Sequence, residues 1–149
     1  MSEHVAELWN ISNIPKNISI ALITADFNSE YTSKMEEVTQ DFLEKNHFRE
    51  IQTYHVPGAF EIPGMIARLL EEKPFDLIYC FGVVIKWSTD HYDYVCRETS
   101  RGIMDMTLKY KTPIIFGILT CDNEKQVEER INDHYAITGL NLLSETLKV

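Results

Sequence analysis

A short loop near the middle of the chain combines a cation, two hydroxyl groups and an imidazole. Lys86 ends an apolar run that predicts a buried strand over residues 76–85, and Ser88, Thr89 and His91 follow it. His91 also opens an apolar pattern of helical period. A strand that leads directly into a helix presents unpaired backbone N–H groups and the positive end of the helix dipole. This combination predicts a phosphate site with His91 as its acid/base group.

Each residue of this loop also has an ordinary structural explanation. Ser88, Thr89 or Asp90 would serve equally well as a helix N-cap, and Lys86 as a solvated charge at a strand end. A single histidine is most often a surface residue. The chain contains neither a G-x-G-x-x-G nor a G-x-x-x-x-G-K-[ST] motif, so dinucleotide and nucleoside-triphosphate chemistry have no support.

Four apolar, β-rich runs alternate with amphipathic segments of helical period. Because each strand run is apolar on both faces, the pattern predicts a parallel sheet covered by helices on both sides. Right-handed crossovers then give an α/β fold, a three-layer α/β/α sandwich with a central four-stranded parallel sheet. The predicted strands are residues 18–25, 51–56, 76–85 and 113–119, and the predicted helices are residues 31–46, 62–70, 91–106 and 122 onward. We expect Gly139 to interrupt the last helix.

Ligands of doubly wound folds bind at the carboxyl ends of the strands. In this chain those ends are residues 26–28, 57–61, 86–91 and 119–122. All the unusual loops of the sequence therefore share one edge of the predicted sheet, and this is where we expect the functional site.

Residues in two of these loops also have alternative explanations. Phe27 suits a core position that caps the sheet as well as it suits a platform for stacking. Asn28 suits a helix N-cap, and the carboxylate of Glu61 would favourably meet the dipole of the helix that it opens.

Composition and charge exclude several classes of partner. The formal net charge of −9, from 14 basic and 23 acidic residues, argues against a nucleic-acid or anionic-membrane partner. No apolar run approaches the length of a membrane span, and no signal-like segment is present. We expect one domain at residues 18–149, preceded by an arm at residues 1–17 that is either frayed or docked on a neighbouring subunit.

The cysteines and histidines show no ligand pattern. Cys80, Cys96 and Cys121 lie far apart, without a C-x-x-C pair, so we expect free thiols, mostly buried, and a cytoplasmic protein. The five histidines form no metal-binding spacing, and we expect no metal site.

Four segments carry a more specific signal: DFN (26–28), PGAFEIP (57–63), GVVIKWSTDHYDYV (82–95) and PIIFGILTCDNEKQVEER (113–130). In order and spacing they resemble the 6,7-dimethyl-8-ribityllumazine synthase family. The resemblance implies a flavodoxin-like fold and the penultimate step of riboflavin biosynthesis. In that step 5-amino-6-(D-ribitylamino)uracil condenses with 3,4-dihydroxy-2-butanone 4-phosphate, without a metal or organic cofactor.

The resemblance further implies two small-molecule substrates and a homo-oligomer built on pentamers, as a pentamer, a decamer or a shell of sixty subunits. Each active site would lie between two neighbouring subunits. His91 matches the proton-transfer residue of the family. Ser88 and Thr89 match its phosphate loop, and Arg130 matches the cation that binds the phosphate-bearing substrate.

Nine residues match the pyrimidine and ribityl sites of the family. Phe27 should stack on the pyrimidine ring, Glu61 should accept ribityl hydroxyls, and Phe116 should cover the ring from the adjacent subunit. The nine residues are Phe27, Asn28, Ala59, Phe60, Glu61, Val83, Val84, Ile85 and Phe116.

The sequence departs from the family pattern at three places. Trp87 stands where the family usually has glycine, Asp90 brings a negative charge beside the phosphate loop, and Thr138 stands where a lysine is usual. Two other hypotheses therefore stay open. One is a non-catalytic relative that binds a flavin or pterin-like ligand or only builds an assembly. The other is an unrelated phospho-acceptor module with Asp26 at a strand end, although the acidic pair and strand-end lysine of such a module are missing.

Overall fold

Four parallel strands form the central sheet. The computed structural model describes residues 6–86 and 90–149 of the chain. Its strands are β1 (Ile20–Ala25), β2 (Ile51–Val56), β3 (Leu77–Ile85) and β4 (Ile114–Cys121). They lie in the order β2-β1-β3-β4, and every pair of neighbours is parallel. The predicted four-stranded parallel sheet is confirmed.

The helices of the described chain connect the strands and cover the sheet. They are α1 (Ser29–Lys45), α2 (Ile62–Glu72), α3 (Asp90–Lys109), α4 (Glu124–Glu129) and α5 (His134–Thr146), and a single 3-10 turn (Ala59–Glu61) leads into α2. The predicted boundaries differ from these by a few residues, as expected where helix ends fray and strands shorten. None of the described helices is long and apolar enough to cross a membrane.

Alternate residues of each strand pack on opposite faces of the sheet. Leu22 and Tyr79 point to the face covered by α1, α4, α5 and the arm. Ile23 and Cys80 point to the other face, covered by α2 and α3. Because both faces are covered by apolar contacts, β1, β3 and β4 are apolar almost throughout, whereas most residues of the edge strand β2 are exposed or half-buried. The fold is a flavodoxin-like, three-layer α/β/α sandwich.

The prediction that Gly139 interrupts the last helix is wrong. The break lies earlier, between α4 and α5, and Gly139 is buried inside α5. A Cβ atom at Gly139 would lie 2.3 Å from the hydroxyl oxygen of Tyr79. That hydroxyl donates a hydrogen bond of 2.9 Å to the carbonyl of Ala136. Glycine is therefore needed for the close approach of α5 to β3, and it does not end the helix.

The described part of the arm, residues 6–17, lies against α5 of the same chain. The backbone N–H of Trp9 donates to Oδ1 of Asn141 (2.8 Å), and Nδ2 of Asn141 donates to the carbonyl of Glu7 (2.8 Å). Docking on a neighbouring subunit stays a prediction, but the described part of the arm is not frayed. The reason is the nearly buried amide of Asn141, whose hydrogen-bonding groups need partners. The division of the chain at residue 17 stays a prediction.

Candidate functional site

A cleft of about 750 Å³ opens at the carboxyl edge of the sheet. This volume lies in the range of small-molecule sites, about 300–1,000 Å³. Seven of the predicted site residues line the cleft: Phe27, Ala59, Phe60, Glu61, Val83, Val84 and His91. They come from the ends of β1, β2 and β3 and from the first turn of α3, so the structure brings together three of the four loops that the sequence placed at this edge.

Phe27 stands at the mouth of the cleft. The turn that carries it is fixed to the end of β2, because the N–H of Asp26 donates to the carbonyl of Val56 (2.7 Å) and that of Phe27 to Pro57 (3.0 Å). The ring itself is 62% exposed. An apolar ring at this exposure is not the core residue that the sequence also allowed, and it leaves a face free for a planar ligand.

Asn28 joins the same turn to β3. Its backbone is in the left-handed region, with φ 62°, and its side chain makes no cap hydrogen bond to α1 although it occupies the N-cap position. Instead, Nδ2 donates to the carbonyl of Val83 at 2.8 Å. Asn28 therefore fixes the turn to β3 at Val83, which borders the cleft. The residue type of Asn28 alone did not indicate this role.

The PGAFE segment forms the second wall. Ala59 is buried because it packs against Gly82 of β3, where an added Cβ would lie 3.1 Å from the Cβ of Ala59. Phe60 is 55% exposed and Glu61 is also exposed, so both side chains are accessible from the cleft. Glu61 makes no side-chain cap bond to α2, which leaves its carboxylate available to accept from ligand hydroxyls.

His91 lies in the first turn of α3 and faces the cleft. Three further lining residues follow it along the same helix face: Tyr94, Val95 and Glu98. They stand at i+3, i+4 and i+7 from His91, so the helical period of α3 could have indicated them once His91 was assigned to the site. Oε2 of Glu98 accepts from Nε of Arg101 at 3.0 Å, which restrains this second carboxylate of the cleft.

The remaining predicted site residues are not part of the described lining. Phe116 is 41% exposed on β4, and Nη1 of Arg130 donates to the carbonyl of Gln126 (2.8 Å) at the end of α4. Ile85 ends β3 without lining the cleft. Ser88 and Thr89, the predicted phosphate loop, lie outside the described residues. Pro57 and Gly58 also line the cleft; the sequence placed them in a loop at this edge but did not assign them to the site.

The thiols do not offer a nucleophile at this site. Cys80 and Cys121 are buried, and burial raises the pKa of each above its ordinary value, so both are protonated at neutral pH. Cys96 is half-buried on α3, and burial is also the main cause that raises its pKa. Among residues 6–86 and 90–149, no group of three or more His, Cys, Asp or Glu side chains is placed to hold a metal ion.

Comparisons with known proteins bear on the same segments. The sequence profile of the 6,7-dimethyl-8-ribityllumazine synthase family matches residues 17–147. The chain belongs to this family. A lumazine synthase of Limosilactobacillus reuteri (strain DSM 20016) is 41% identical over 132 residues, which are 86% of this chain and 87% of the relative. One of Campylobacter jejuni subsp. jejuni serotype O:23/36 (strain 81-176) is 35% identical over 139 residues, 92% of this chain and 90% of the relative.

Membership of the lumazine synthase family makes the chain an enzyme, a transferase of riboflavin biosynthesis. The alternative of an unrelated phospho-acceptor module is wrong, because the family match covers residues 17–147. The comparisons give no support to a non-catalytic flavin- or pterin-binding relative, since both relatives carry the name of the synthase.

Proposed function

We propose that the cleft at the carboxyl edge is the lumazine synthase active site of this chain. There 5-amino-6-(D-ribitylamino)uracil condenses with 3,4-dihydroxy-2-butanone 4-phosphate to give 6,7-dimethyl-8-ribityllumazine, phosphate and water. One observation carries the proposal: residues from three of the four family segments, which the resemblance assigns to the pyrimidine, the ribityl chain and proton transfer, line a single cleft.

The pyrimidine is proposed to lie on Phe27. The exposed ring gives a flat apolar surface, and the backbone of Val83 and Val84, which line the cleft, offers hydrogen-bonding groups for the polar edge of the pyrimidine. Ile85 is assigned the same role by its match to the family. Asn28, through its hydrogen bond to the carbonyl of Val83, keeps the turn and the strand in register.

The ribityl chain is proposed to extend along the PGAFE segment. Glu61 has an exposed carboxylate with two acceptor oxygens, which suits a chain of hydroxyl donors. Ala59 and Phe60 supply the apolar wall beside it.

The butanone phosphate is proposed to bind at the start of α3, beside His91. The helix N-terminus favours an anion there, and Ser88 and Thr89 add hydroxyl donors by their match to the family. Arg130 is the proposed cation for this substrate. Since its guanidinium is held at the end of α4 and is not part of the described lining, we assign it, like Phe116, to the cleft of a neighbouring subunit.

Positioning of the two substrates contributes more to the proposed reaction than acid/base catalysis does. The 5-amino group attacks the ketone to give a carbinolamine and then, with loss of water, an imine. Phosphate leaves, and the ribitylamino nitrogen closes the second ring with loss of water. Holding the two reactants in register supplies most of the acceleration. His91 moves protons between these steps, a contribution of about a hundredfold or more.

The assembly and the location follow from the same proposal. A site that takes Phe116 and Arg130 from a neighbour requires a homo-oligomer, and we propose one built on pentamers. The three cysteines, two of them buried, are all free thiols, which supports a reducing compartment and hence a cytoplasmic location.

A turnover assay tests the proposed function. The protein is mixed with both substrates, and the absorbance and fluorescence of the lumazine product are followed against the spontaneous condensation. We expect a saturable acceleration that depends on both substrates. A rate equal to the spontaneous rate at all protein concentrations would contradict the proposal, even if the protein binds the product.

A further inference from the structure

A second histidine lies at the carboxyl edge, outside the cleft, and contacts two carboxylates. Nδ1 of His55 lies 2.9 Å from Oδ1 of Asp26, and Nε2 lies 3.2 Å from Oε1 of Glu36. The same oxygen of Glu36 accepts from the hydroxyl of Thr24 at 2.8 Å. We call these four residues the His55 cluster. It joins the end of β2 to the end of β1 and to α1.

The geometry suits a charged imidazole. An ionised carboxylate can only accept hydrogen bonds, and the doubly protonated ring of His55 can donate to both Asp26 and Glu36. The hydrogen bond with Asp26 is the main cause that raises the pKa of His55 above its ordinary value of 6.5, and the charge of Glu36 acts in the same direction. Asp26 on the β1 end and Glu36 on α1 are the charged groups of the described chain that face the ring.

The His55 cluster acts on the turn that carries Phe27. Asp26 immediately precedes Phe27, and backbone hydrogen bonds to Val56 and Pro57 attach the two residues to the segment just after His55. The His55–Asp26 contact adds a side-chain link parallel to these backbone links. Since the Phe27 ring is 62% exposed, its position over the cleft depends largely on how firmly this turn is held.

We propose that His55 is a positioning residue, which in its charged form fixes the Asp26–Phe27 turn so that the Phe27 ring stays in place to stack on the pyrimidine substrate. The inference rests on the proposed function, because it takes the pyrimidine to be the ligand of Phe27. It assigns His55 no contact with substrate.

The contribution of His55 to holding the turn should decrease as the pH rises. A histidine with a raised pKa in the folded protein contributes fully below its ordinary value of 6.5, and the contribution is lost as the pH rises through the folded value. The side chains of His55 and Asp26 are 47% and 63% exposed, so solvent screens their attraction and the effect is modest. We expect a change of about two- to fivefold in the KM for the pyrimidine substrate.

The test compares wild type with His55→Gln, which removes the charge. At about pH 6 the variant should have a KM for the pyrimidine substrate about two- to fivefold higher, with kcat changed less, and the two proteins should converge at about pH 9. Glu36→Gln should give the same pattern with a smaller amplitude. The control is His47→Asn, which changes an exposed histidine at the end of α1 whose φ of 70° asparagine tolerates.

Hydrogen exchange gives a readout that needs no turnover. At about pH 6 the peptide over residues 26–31 should exchange faster in His55→Gln than in wild type, and the difference should vanish at about pH 9. A KM ratio that is independent of pH, or equal exchange in the two proteins at about pH 6, would overturn the inference. If the wild type shows no turnover but the exchange difference is present, the proposed function is contradicted. The role of His55 in holding the turn is then still supported.

Discussion

At the scale of single residues, His91 is the histidine that lines the cleft, and it stands in the first turn of α3. This statement covers the described residues, in which Glu61 and Glu98 are the carboxylates of the cleft. The proposed role of His91 is to move protons between intermediates, while the walls of the cleft hold the reactants. The two roles are separable by mutation, because Phe27 and the PGAFE segment lie on other elements than His91.

His91→Ala should slow turnover without abolishing it. We expect kcat to fall about a hundredfold, the lower end of the range for acid/base catalysis, and residual turnover to persist because the positioning contribution remains. The KM for the pyrimidine substrate should change little. Steady-state kinetics with each substrate varied would check this, with His47→Asn as the matched control. A variant that turns over as fast as wild type would remove His91 from the mechanism.

Single residues also mark the limits of prediction from sequence. Phe27, Glu61 and His91 were found because each is an unusual residue type at a strand end or matches a family motif. Tyr94 and Glu98 were missed because an aromatic and a carboxylate on an amphipathic helix look like ordinary surface residues. Only the orientation of α3 against the strand ends turns them toward the cleft.

At the scale of elements, the strands follow directly from hydrophobic runs, whereas the break in the last helix does not. Buried strands in a parallel sheet are recognised by composition, so β1, β3 and β4 were located from their apolar runs. Most residues of the edge strand β2 are exposed or half-buried, and the Pro57-Gly58 turn that closes it marked its end. Gly139 was misread because glycine in a helical pattern usually weakens the helix. Its actual role depends on Tyr79, sixty residues away in the chain, and no local pattern reveals such a contact.

Gly139→Ala should therefore destabilise the protein. An added Cβ would lie 2.3 Å from the Tyr79 hydroxyl oxygen and 2.5 Å from Cζ, and overpacking of this kind costs about 1–3 kcal/mol. Gly64→Ala is the matched control. It lies exposed in α2 with no atom within 4 Å of the added Cβ, so it should stabilise by about 0.5–1 kcal/mol.

Thermal unfolding at one fixed protein concentration checks this pair, because assembly stabilises by mass action. The two variants should shift the melting temperature in opposite directions. If Gly139→Ala melts at or above the temperature of Gly64→Ala, the close approach of α5 to β3 is not a constraint on the fold.

At the scale of the whole molecule, we propose that a single chain supplies only part of the active site. The cleft holds Phe27, whereas Phe116 is exposed on β4 and is not part of the described lining. In the proposed assembly, a ring of identical subunits joined head to tail places the β4 surface of one subunit against the cleft of the next. The family resemblance could indicate this shared site, but composition and periodicity could not, because they describe one chain at a time.

Mixed oligomers test the shared site. Phe27→Ala and Phe116→Ala should each lower kcat/KM strongly, and co-assembly of equal amounts should restore activity to about a quarter of wild type. In a random ring, about one site in four combines an intact Phe27 with an intact Phe116 from the neighbour. Co-expression with two affinity tags provides the mixed species, and a mixture of preformed parents is the control. Activity no higher than the average of the parents would place both residues at one chain's own site.

The central claim is that the cleft between Phe27 and the PGAFE segment is the active site. A crystal structure of the assembled protein with 6,7-dimethyl-8-ribityllumazine tests this claim most directly. We expect the ring system on Phe27, the ribityl hydroxyls within hydrogen-bonding distance of Glu61, and Phe116 of a neighbouring subunit on the opposite face of the ring. Product bound at another surface, with this cleft empty, would contradict the account.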